Sequence, residues 1–433
     1  MMETMKIKVS LVSLGCDKNR VESEYLLGLL SQEFEIVESD ADVVVINTCA
    51  FIESAVNESI DTILGESETG AKIIVTGCLP MRYKNEKLLE QFPEVSAFLD
   101  NKHYTSICET VYNVCNNKRF ELHSNECSEP ISMKRVLDNP THYAFLRVAD
   151  GCNNCCTYCA IPKIRGRYMA VAPDKIVAEA KYLIDTYQTN EFILVAQDVS
   201  RYKYGEVDLL GLIDMLEEVG VKKIRLMYCY PEAVTDELID RIVNDDRIVK
   251  YLDIPLQHIN DDVLKRMNRK STSSSIKELL QKLNDRGIVV RSTFITGFPG
   301  ETDEQHQELL SFLEEGLITY AGFFPYFREE GTPAYSFSGQ IKKSVKMKRL
   351  QELEACQTKI TVEKLNSYVG KDVKITFDYI DYDKNLFVGH MDNQHPTVDS
   401  KVFFKADFTV NQGEEYMVRI KDRKKLNLVG EAI

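Results

Sequence analysis

The sequence GCNNCCTYC, residues 151–159, decides the fold predicted for this chain. Cys152, Cys156 and Cys159 form a C-x3-C-x2-C pattern directly after a predicted strand. Three thiolates on one loop can each bind one iron of a 4Fe–4S cluster, which leaves the fourth iron without a protein ligand. A structural zinc site needs a fourth Cys or His, and Cys155 lies too close in the chain to supply it. The spacing therefore favours an iron–sulfur cluster over a zinc knuckle or unrelated thiols.

The residues around this loop predict an open barrel. Six apolar runs separated by helical patterns indicate parallel strands. They are Ala144–Val148, Phe192–Gln197, Lys223–Tyr228, Tyr251–Gln257, Ile288–Gly297 and Tyr320–Phe327. Six βα units fall short of the eight in a closed barrel, so we expect a partial one. The cysteine loop then follows the carboxyl end of the first strand, where barrels of this kind place their chemistry.

Three more cysteines recur at predicted strand ends in the N-terminal part of the chain. Cys16 follows the run KVSLVSLG, Cys49 follows VVVINT, and Cys78 follows KIIVTG. Helical patterns separate these runs, which predicts a doubly wound parallel sheet. Strand ends of such a sheet share one ligand-binding edge, and neighbouring strands lie about 4.8 Å apart. We therefore expect the three thiols to converge on a second cluster, although any one of them alone is more typical of a small buried apolar residue.

The rest of the chain predicts a linker, a helix and a second, smaller barrel. Residues 116–140 are polar and irregular, and residues 342–365 form one amphipathic pattern. Short runs with turn residues follow Val369, which is typical of a small antiparallel barrel of the OB class. The predicted organisation is an N-terminal domain 1–115, a linker 116–140, a barrel domain 141–340, a connecting helix 341–368 and a C-terminal barrel 369–433.

Composition and charge indicate the compartment of the protein and argue against some classes of partner. The 433 residues carry a net charge of −14, whereas proteins that bind nucleic acid usually present a basic face. The N-terminus lacks a signal-peptide pattern, and no apolar run reaches the ~18 residues of a membrane span. We expect a cytoplasmic protein with no membrane partner. It has twelve cysteines, and in such a protein cysteines more often bind metal or take part in catalysis than form disulfides.

Four motifs carry a family resemblance. The cysteine loop with AIPKIRGRY (160–168) resembles the signature of the radical S-adenosylmethionine superfamily. That resemblance implies that S-adenosylmethionine chelates the open iron and that its one-electron cleavage releases a 5′-deoxyadenosyl radical. SLGCDKNRVESE (13–24), INTCAFIESA (46–55) and TGCLPMRY (76–83) resemble the N-terminal domain of methylthiotransferases. In that family the three cysteines hold an auxiliary 4Fe–4S cluster that carries the sulfur, and the C-terminal barrel resembles the family's TRAM domain.

The resemblance also implies a mechanism and cofactor contacts. The radical removes hydrogen from an unactivated carbon, the auxiliary cluster supplies sulfur, and a second S-adenosylmethionine supplies the methyl group. No catalytic side chain beyond the six cluster cysteines is implied. Stretches 197–205, 255–269 and 291–305 begin near predicted strand ends and resemble segments that bind S-adenosylmethionine. The Arg291 guanidinium suits the carboxylate of S-adenosylmethionine. A glycine lets the backbone approach the adenosine closely. The alternative is that these residues are strand-end caps or surface turns. The candidate contacts are Gln197, Asp198, Gln257, Arg291 and Gly297.

Two branches of the family are possible, one modifying a transfer-RNA base and the RimO type modifying the β-carbon of an aspartate in ribosomal protein S-12. The DKNRVESE that follows Cys16 resembles the RimO pattern PKNLVDSE, with departures at Asp17 and Glu22, whereas the transfer-RNA branch typically has QMN there. VAQDVSRY and HPTVDSKVFF also resemble the RimO type, with Ser400 in place of a glycine. Residues 369–433 hold ten Lys and Arg against eleven Asp and Glu, whereas a barrel that grips RNA should be basic.

The sequence therefore predicts methylthiolation of an aspartate β-carbon in ribosomal protein S-12. The alternatives are a transfer-RNA base methylthiotransferase and a non-catalytic iron–sulfur or zinc scaffold on the ribosome. The expected partners are ribosomal protein S-12 and an electron donor of the flavodoxin or ferredoxin type. The sequence leaves open the sulfur donor, the physiological electron donor, the oligomeric state and whether the substrate is ribosome-assembled. It also leaves open the roles of Cys108, Cys115, Cys127 and Cys155.

Overall fold

The computed structural model describes residues 6–123, 135–138 and 140–433. Its N-terminal part is one sheet with helices on both faces. The strands are β1 (Lys8–Ser13), β2 (Glu35–Ile36), β3 (Val43–Thr48), β4 (Lys72–Gly77), β5 (Val95–Leu99) and β6 (Phe120–Leu122). The helices are α1 (Asp17–Glu33), α2 (Glu53–Ser67), α3 (Cys78–Arg82), α4 (Leu88–Gln91) and α5 (Ile107–Cys115). The order is β2-β1-β3-β4-β5-β6 with every pairing parallel, and β3 is buried along its whole length.

The described parts of the predicted linker 116–140 include a short strand and a buried side chain. Phe120–Leu122 forms edge strand β6 beside β5. Arg135 is buried, and its guanidinium pairs with Glu24 at 3.0 Å and Glu179 at 3.1 Å. A three-residue edge strand that is only partly buried has no apolar run to reveal it, so the polar composition was misleading. Cys127 lies outside the described residues.

The central part is an open parallel sheet. Six strands form it: β7 (Tyr143–Arg147), β10 (Glu191–Val195), β13 (Lys223–Leu226), β14 (Ile248–Asp253), β15 (Val289–Thr296) and β16 (Tyr320–Pro325). Two separate two-stranded antiparallel sheets are formed by β8 (Ala149–Asp150) with β9 (Met169–Ala170) and by β11 (Lys203–Tyr204) with β12 (Val207–Asp208). The helices are α6 (Ile161–Ile164), α7 (Pro173–Tyr187), α8 (Leu209–Glu218), α9 (Asp236–Asn244), α10 (Asp261–Arg266), α11 (Ser273–Asp285) and α12 (Asp303–Glu314). The main sheet runs β7-β10-β13-β14-β15-β16, all parallel, with β7 and β16 at its edges. This confirms the predicted partial barrel of six units.

The C-terminal part confirms the predicted small barrel. Helix α13 (Lys343–Asn366) leads into five strands, β17 (Asp372–Asp381), β18 (Leu386–His390), β19 (Val402–Lys405), β20 (Glu415–Lys424) and β21 (Asn427–Ala432). They close in the order β17-β18-β19-β21-β20. Four of the five pairings are antiparallel, and β19 with β21 is parallel. No helix in the described part of the chain has the length and apolar character needed to cross a bilayer.

Helix α1 joins the N-terminal sheet to the central one. Val21 and Tyr25 on α1 pack with the residues that alternate on the inner face of the central strands. The neighbouring residues in those strands face the outer helices instead. The inner face is therefore not left open to solvent at this end, because a helix from the other domain covers it.

The C-terminal barrel covers another part of the same inner face. His142 before β7 pairs with Asp378 of β17 at 2.9 Å, and Tyr251 of β14 donates a hydrogen bond to Asp399 at 2.7 Å. Arg291 of β15 pairs with the same Asp399 at 2.6 Å. Three parts of the chain thus meet around the central sheet.

Candidate functional site

The three N-terminal cysteines lie at the carboxyl ends of adjacent strands. Cys16 immediately precedes α1, Cys49 follows β3, and Cys78 is the first residue of α3 directly after β4. The order β1-β3-β4 makes these strands neighbours. Gly15 has φ +91°, and a Cβ there would lie 2.8 Å from the Cys49 Sγ atom. Cys49 therefore packs directly against the turn that precedes Cys16, and only glycine fits that turn.

Side-chain amides fix the backbone around these cysteines. The Asn19 side chain donates hydrogen bonds to the carbonyls of Leu14 and Thr48, both at 2.9 Å. Asn47 in turn donates to the Asn19 carbonyl at 2.9 Å. These buried bonds tie together the segments that lead to Cys16 and Cys49.

The three thiols share one electrostatic environment. Burial raises the pKa of Cys49, and it raises the pKa of Cys78 to about 12. Negative charge on Cys16 raises both pKa values further, while the Arg165 guanidinium lowers them. Gathering three thiolates here is therefore costly without a cation, and metal coordination deprotonates thiols and removes that cost. The donor set fits a cluster held by three cysteines.

The second cysteine triad lies on the loop between β8 and α6. The Cys152 amide donates to the Gly166 carbonyl at 3.2 Å, and the Cys159 amide donates to the Cys156 carbonyl at 3.1 Å. The Cys156 thiol lies 3.4 Å from the Tyr230 hydroxyl. Burial raises the pKa of Cys159 to about 12, and negative charge on the other two thiols of the triad raises it further. This donor set also fits a cluster with three protein ligands.

Cys155 differs from its neighbours in the loop. Its side chain is exposed, whereas that of Cys156 is buried. Its backbone has φ +52°, a conformation that non-glycine residues rarely adopt. That Cys155 is not a ligand stays a prediction, because the ligand candidate Cys16 is exposed as well.

Helices α3 and α6 bring the segments that carry the two triads into contact. Leu79 and Met81 of α3, which begins at Cys78, pack with Ala160 and Ile164 around α6, which follows Cys159. The Arg165 guanidinium then reaches across to donate a hydrogen bond to the Cys78 Sγ atom at 3.2 Å. A residue next to the second triad thus touches a ligand candidate of the first.

The cysteine geometry does not suit a mononuclear zinc site. Across the described ranges, no three His, Cys, Asp or Glu side chains gather closely enough to hold one metal ion. A zinc scaffold needs that arrangement. Each cysteine of a 4Fe–4S cluster binds a different iron, so a cluster does not need it.

Comparison with known proteins shows which family this chain belongs to. Residues 146–313 match the family model described as the radical SAM superfamily, and residues 8–100 match the one described as uncharacterized protein family UPF0004. The ribosomal protein uS12 methylthiotransferase RimO of Clostridium botulinum is 41% identical over 440 residues, covering 98% of both chains. That of Clostridium tetani is 40% identical over 439 residues, again covering 98% of both. The chain belongs to the uS12 methylthiotransferase family.

A solved structure with little sequence similarity has the same fold. The radical S-adenosylmethionine methyltransferase TsrM from Kitasatospora setae, solved with cobalamin and a 4Fe–4S cluster bound, aligns with a TM-score of 0.53 at 15% identity. The alignment covers 76% of this chain and 77% of that chain. At this identity the likeness concerns the fold alone, and it agrees with the partial barrel described above.

Two of the predicted S-adenosylmethionine contacts lie beside the second triad in this member of the family. Asp198 accepts a hydrogen bond from Asn154 of the cysteine loop at 3.1 Å. Gln197 donates to Asp150, directly before the loop, at 3.1 Å. The buried Oε1 atom of Gln197 has no hydrogen-bond partner among the described residues, so it can accept one from a ligand.

The other predicted contacts have protein neighbours of their own. Arg291 binds Asp399 of the C-terminal barrel, so its carboxylate partner in the structure comes from the chain itself. Gly297 has φ +72°, and the Lys346 side chain lies against its α-carbon, which explains the glycine without adenosine. Gln257 has φ +74°, lies four residues after β14 and pairs through its backbone with Phe294. Of the five candidates, only Gln197 and Asp198 are seen to contact the cysteine loop or the residue before it. All five cofactor contacts stay predictions.

Several residues at the site were not predicted from the sequence. Lys18 and Glu22 lie on α1 and are buried, although charged residues in helices are usually exposed. Glu22 accepts bonds from Arg147 at 2.8 Å and from Tyr104 at 2.8 Å, and it also pairs with Arg165. No local spacing signals these pairs, because their members lie far apart in the chain.

Glu22 is expected to hold the two domains together. Glu22→Gln leaves two buried guanidinium groups without their shared carboxylate, and breaking buried pairs of this kind costs about 3–5 kcal/mol. We expect a lower unfolding temperature and an earlier urea midpoint, both followed by circular dichroism. Glu38→Gln, at an exposed position, is the control and should unfold like the wild type. An unchanged transition for Glu22→Gln would contradict this role.

Proposed function

We propose that this chain methylthiolates the β-carbon of an aspartate in ribosomal protein uS12. The observation that supports it is the contact between the segments that carry the two cysteine triads, through α3 and α6 and through the Arg165–Cys78 hydrogen bond. A methylthio transfer needs a site that generates a carbon radical and a site that delivers sulfur to the same carbon. Two open-iron triads at one domain interface satisfy that requirement.

The six cysteines have separate roles in this proposal. Cys152, Cys156 and Cys159 would hold the cluster that binds S-adenosylmethionine, and Cys16, Cys49 and Cys78 would hold the auxiliary cluster. When bound, the clusters and S-adenosylmethionine supply the radical, the sulfur and the methyl group. The chain itself positions the substrate carbon and excludes water from it. Gln197, Asp198, Gln257, Arg291 and Gly297 are the proposed cofactor contacts.

The proposed division of labour follows the predicted boundaries. Residues 1–115 would carry the auxiliary cluster, 141–340 the radical chemistry, and 369–433 the recognition of the substrate protein. Several barrel cations are paired with carboxylates: Lys374 lies 3.1 Å from Glu415, and Lys421 lies 3.3 Å from Glu431. Such pairing leaves less free positive charge for phosphates and favours a protein substrate over transfer RNA. An electron donor of the flavodoxin or ferredoxin type and a cytoplasmic location belong to the same proposal.

Mass spectrometry tests the substrate directly. The chain is expressed in a bacterial strain that lacks its own uS12 methylthiotransferase, and uS12 and bulk transfer RNA are then analysed. We expect a peptide of uS12 to gain one methylthio group in place of hydrogen at an aspartate. The transfer RNA should be unchanged. A methylthio group on a transfer-RNA base with unmodified uS12 would contradict the proposal.

A further inference from the structure

The first turn of α1 contains a buried cation that lacks an anionic partner. Lys18 is only 8% exposed, and its Nζ atom donates one long hydrogen bond, 3.4 Å, to the Ala196 carbonyl. The ammonium also lies 4.3 Å from the centre of the Tyr228 ring. Among the described residues, no carboxylate oxygen lies within 4.0 Å of the Lys18 Nζ atom, which is the limit for an ion pair. Neighbouring Asp17 instead accepts a hydrogen bond from Tyr228 at 3.2 Å.

This position is unfavourable for folding. Burying a charge without a counter-ion is costly, and a positive charge in the first turn of a helix also opposes the helix dipole. Three other buried or half-buried cations have carboxylate partners. Arg147 and Arg165 share Glu22, and Arg291 binds Asp399. Lys18 thus has the structure of a site that receives its anion from a ligand.

The same side chain spans the two cysteine triads. Lys18 lies two residues after Cys16 of the N-terminal triad. Its Nζ atom reaches Ala196 at the end of β10, directly before the Gln197 and Asp198 that lie beside the cysteine loop.

We propose that Lys18 binds the side-chain carboxylate of the substrate aspartate. This inference rests on the proposed function and identifies the residue that distinguishes its substrate. In aspartate the carboxylate carbon is bonded directly to the β-carbon that reacts. An ammonium that binds the carboxylate therefore also fixes the position of the reacting carbon. Lys18 follows Cys16 by two residues, and its Nζ atom reaches the segment beside the second cysteine loop, so that carbon would be held near both triads. Lys18 acts as a specificity-determining and positioning residue, and it takes no part in bond making.

The test measures discrimination between aspartate and asparagine. Two fluorescent peptides carry the uS12 target segment, one with its aspartate and one with asparagine in its place. Their Kd values are measured anaerobically with full-length protein reconstituted with iron, sulfide and S-adenosylmethionine. We expect the wild type to prefer the aspartate peptide. Lys18→Met, of similar length but neutral, should bind the aspartate peptide about 100-fold more weakly, since truncating one member of a buried charge pair has effects of this size.

Further measurements separate this role from others. Lys18→Met should bind the asparagine peptide as the wild type does and should still release 5′-deoxyadenosine from S-adenosylmethionine. Lys18→Arg keeps the charge and should retain the preference for aspartate. Arg20→Met removes a cation from the same helix that already pairs with Glu24 at 3.2 Å, and it should leave the preference unchanged. Iron content and the unfolding temperature of each variant report whether it is folded.

Three results would overturn the inference. One is that Lys18→Met keeps the wild-type ratio of Kd values for the aspartate and asparagine peptides, although the wild type does methylthiolate uS12. Another is the loss of 5′-deoxyadenosine release in Lys18→Met, which would assign Lys18 to S-adenosylmethionine. The third is a wild type that neither binds nor modifies the aspartate peptide, which would overturn the proposed function together with this inference.

Discussion

Cys156→Ala is expected to reduce 5′-deoxyadenosine formation to the level measured without protein. Cys156 is buried in the middle of its loop, within 3.4 Å of the Tyr230 hydroxyl, whereas the adjacent Cys155 is exposed. Two thiolates do not retain a 4Fe–4S cluster with one open iron, and S-adenosylmethionine then has no iron to chelate. The measurement is chromatography of the products after anaerobic incubation with dithionite. Iron analysis should fall from about eight to about four per chain.

The neighbouring thiol provides a matched control. Cys155→Ala removes the neighbouring thiol in the same loop, at an exposed position. It should keep both the iron content and the 5′-deoxyadenosine yield of the wild type. Loss of activity in Cys155→Ala with full activity in Cys156→Ala would mean that the ligand assignment in this loop is wrong.

Cys49→Ala should separate the two halves of the reaction. We expect the variant to release 5′-deoxyadenosine at a rate close to the wild type and to form no methylthiolated product. Cys49 packs on Gly15 at the edge of the N-terminal sheet, and removing its thiol takes away one of three ligands from the auxiliary cluster only. The product is followed by mass spectrometry of a uS12 peptide, with iron again near four per chain.

Cys108→Ala is the control in the same domain. Cys108 lies on α5, and its thiol donates a weak bond to the Leu29 carbonyl at 3.6 Å, away from the triad. This variant should keep full methylthiolation. If Cys49→Ala also retained full methylthiolation, the assignment of an auxiliary cluster to the N-terminal sheet would be refuted.

The positions of the six cysteines follow from the sequence because strand ends in parallel sheets have a fixed geometry. Cys16, Cys49 and Cys78 each come directly after a β-branched run, and pairing of those runs brings them to one edge. The central six strands and the terminal five strands were predictable for a similar reason, since apolar periodicity marks them clearly. Local pattern and elementary sheet geometry were sufficient here.

Contacts between distant segments could not be predicted in this way. Arg165 and Cys78 are 87 residues apart, and Arg291 and Asp399 are 108 residues apart. Such pairs depend on how the domains pack, and no local spacing encodes that packing. For this reason Arg291 was predicted to face a cofactor carboxylate, although in the structure it pairs with a carboxylate of the C-terminal barrel.

The packing of α1 against the central sheet has a consequence for synthesis on the ribosome. Helix α1 ends at Glu33, yet the apolar residues that cover Val21 and Tyr25 extend to Tyr320. The helix therefore emerges long before most of its packing surface has been translated. Until then these side chains stay accessible to chaperones, and the N-terminal cysteines have no completed neighbour to shield them. Complete burial of α1 is thus expected only after the chain has been translated beyond Tyr320.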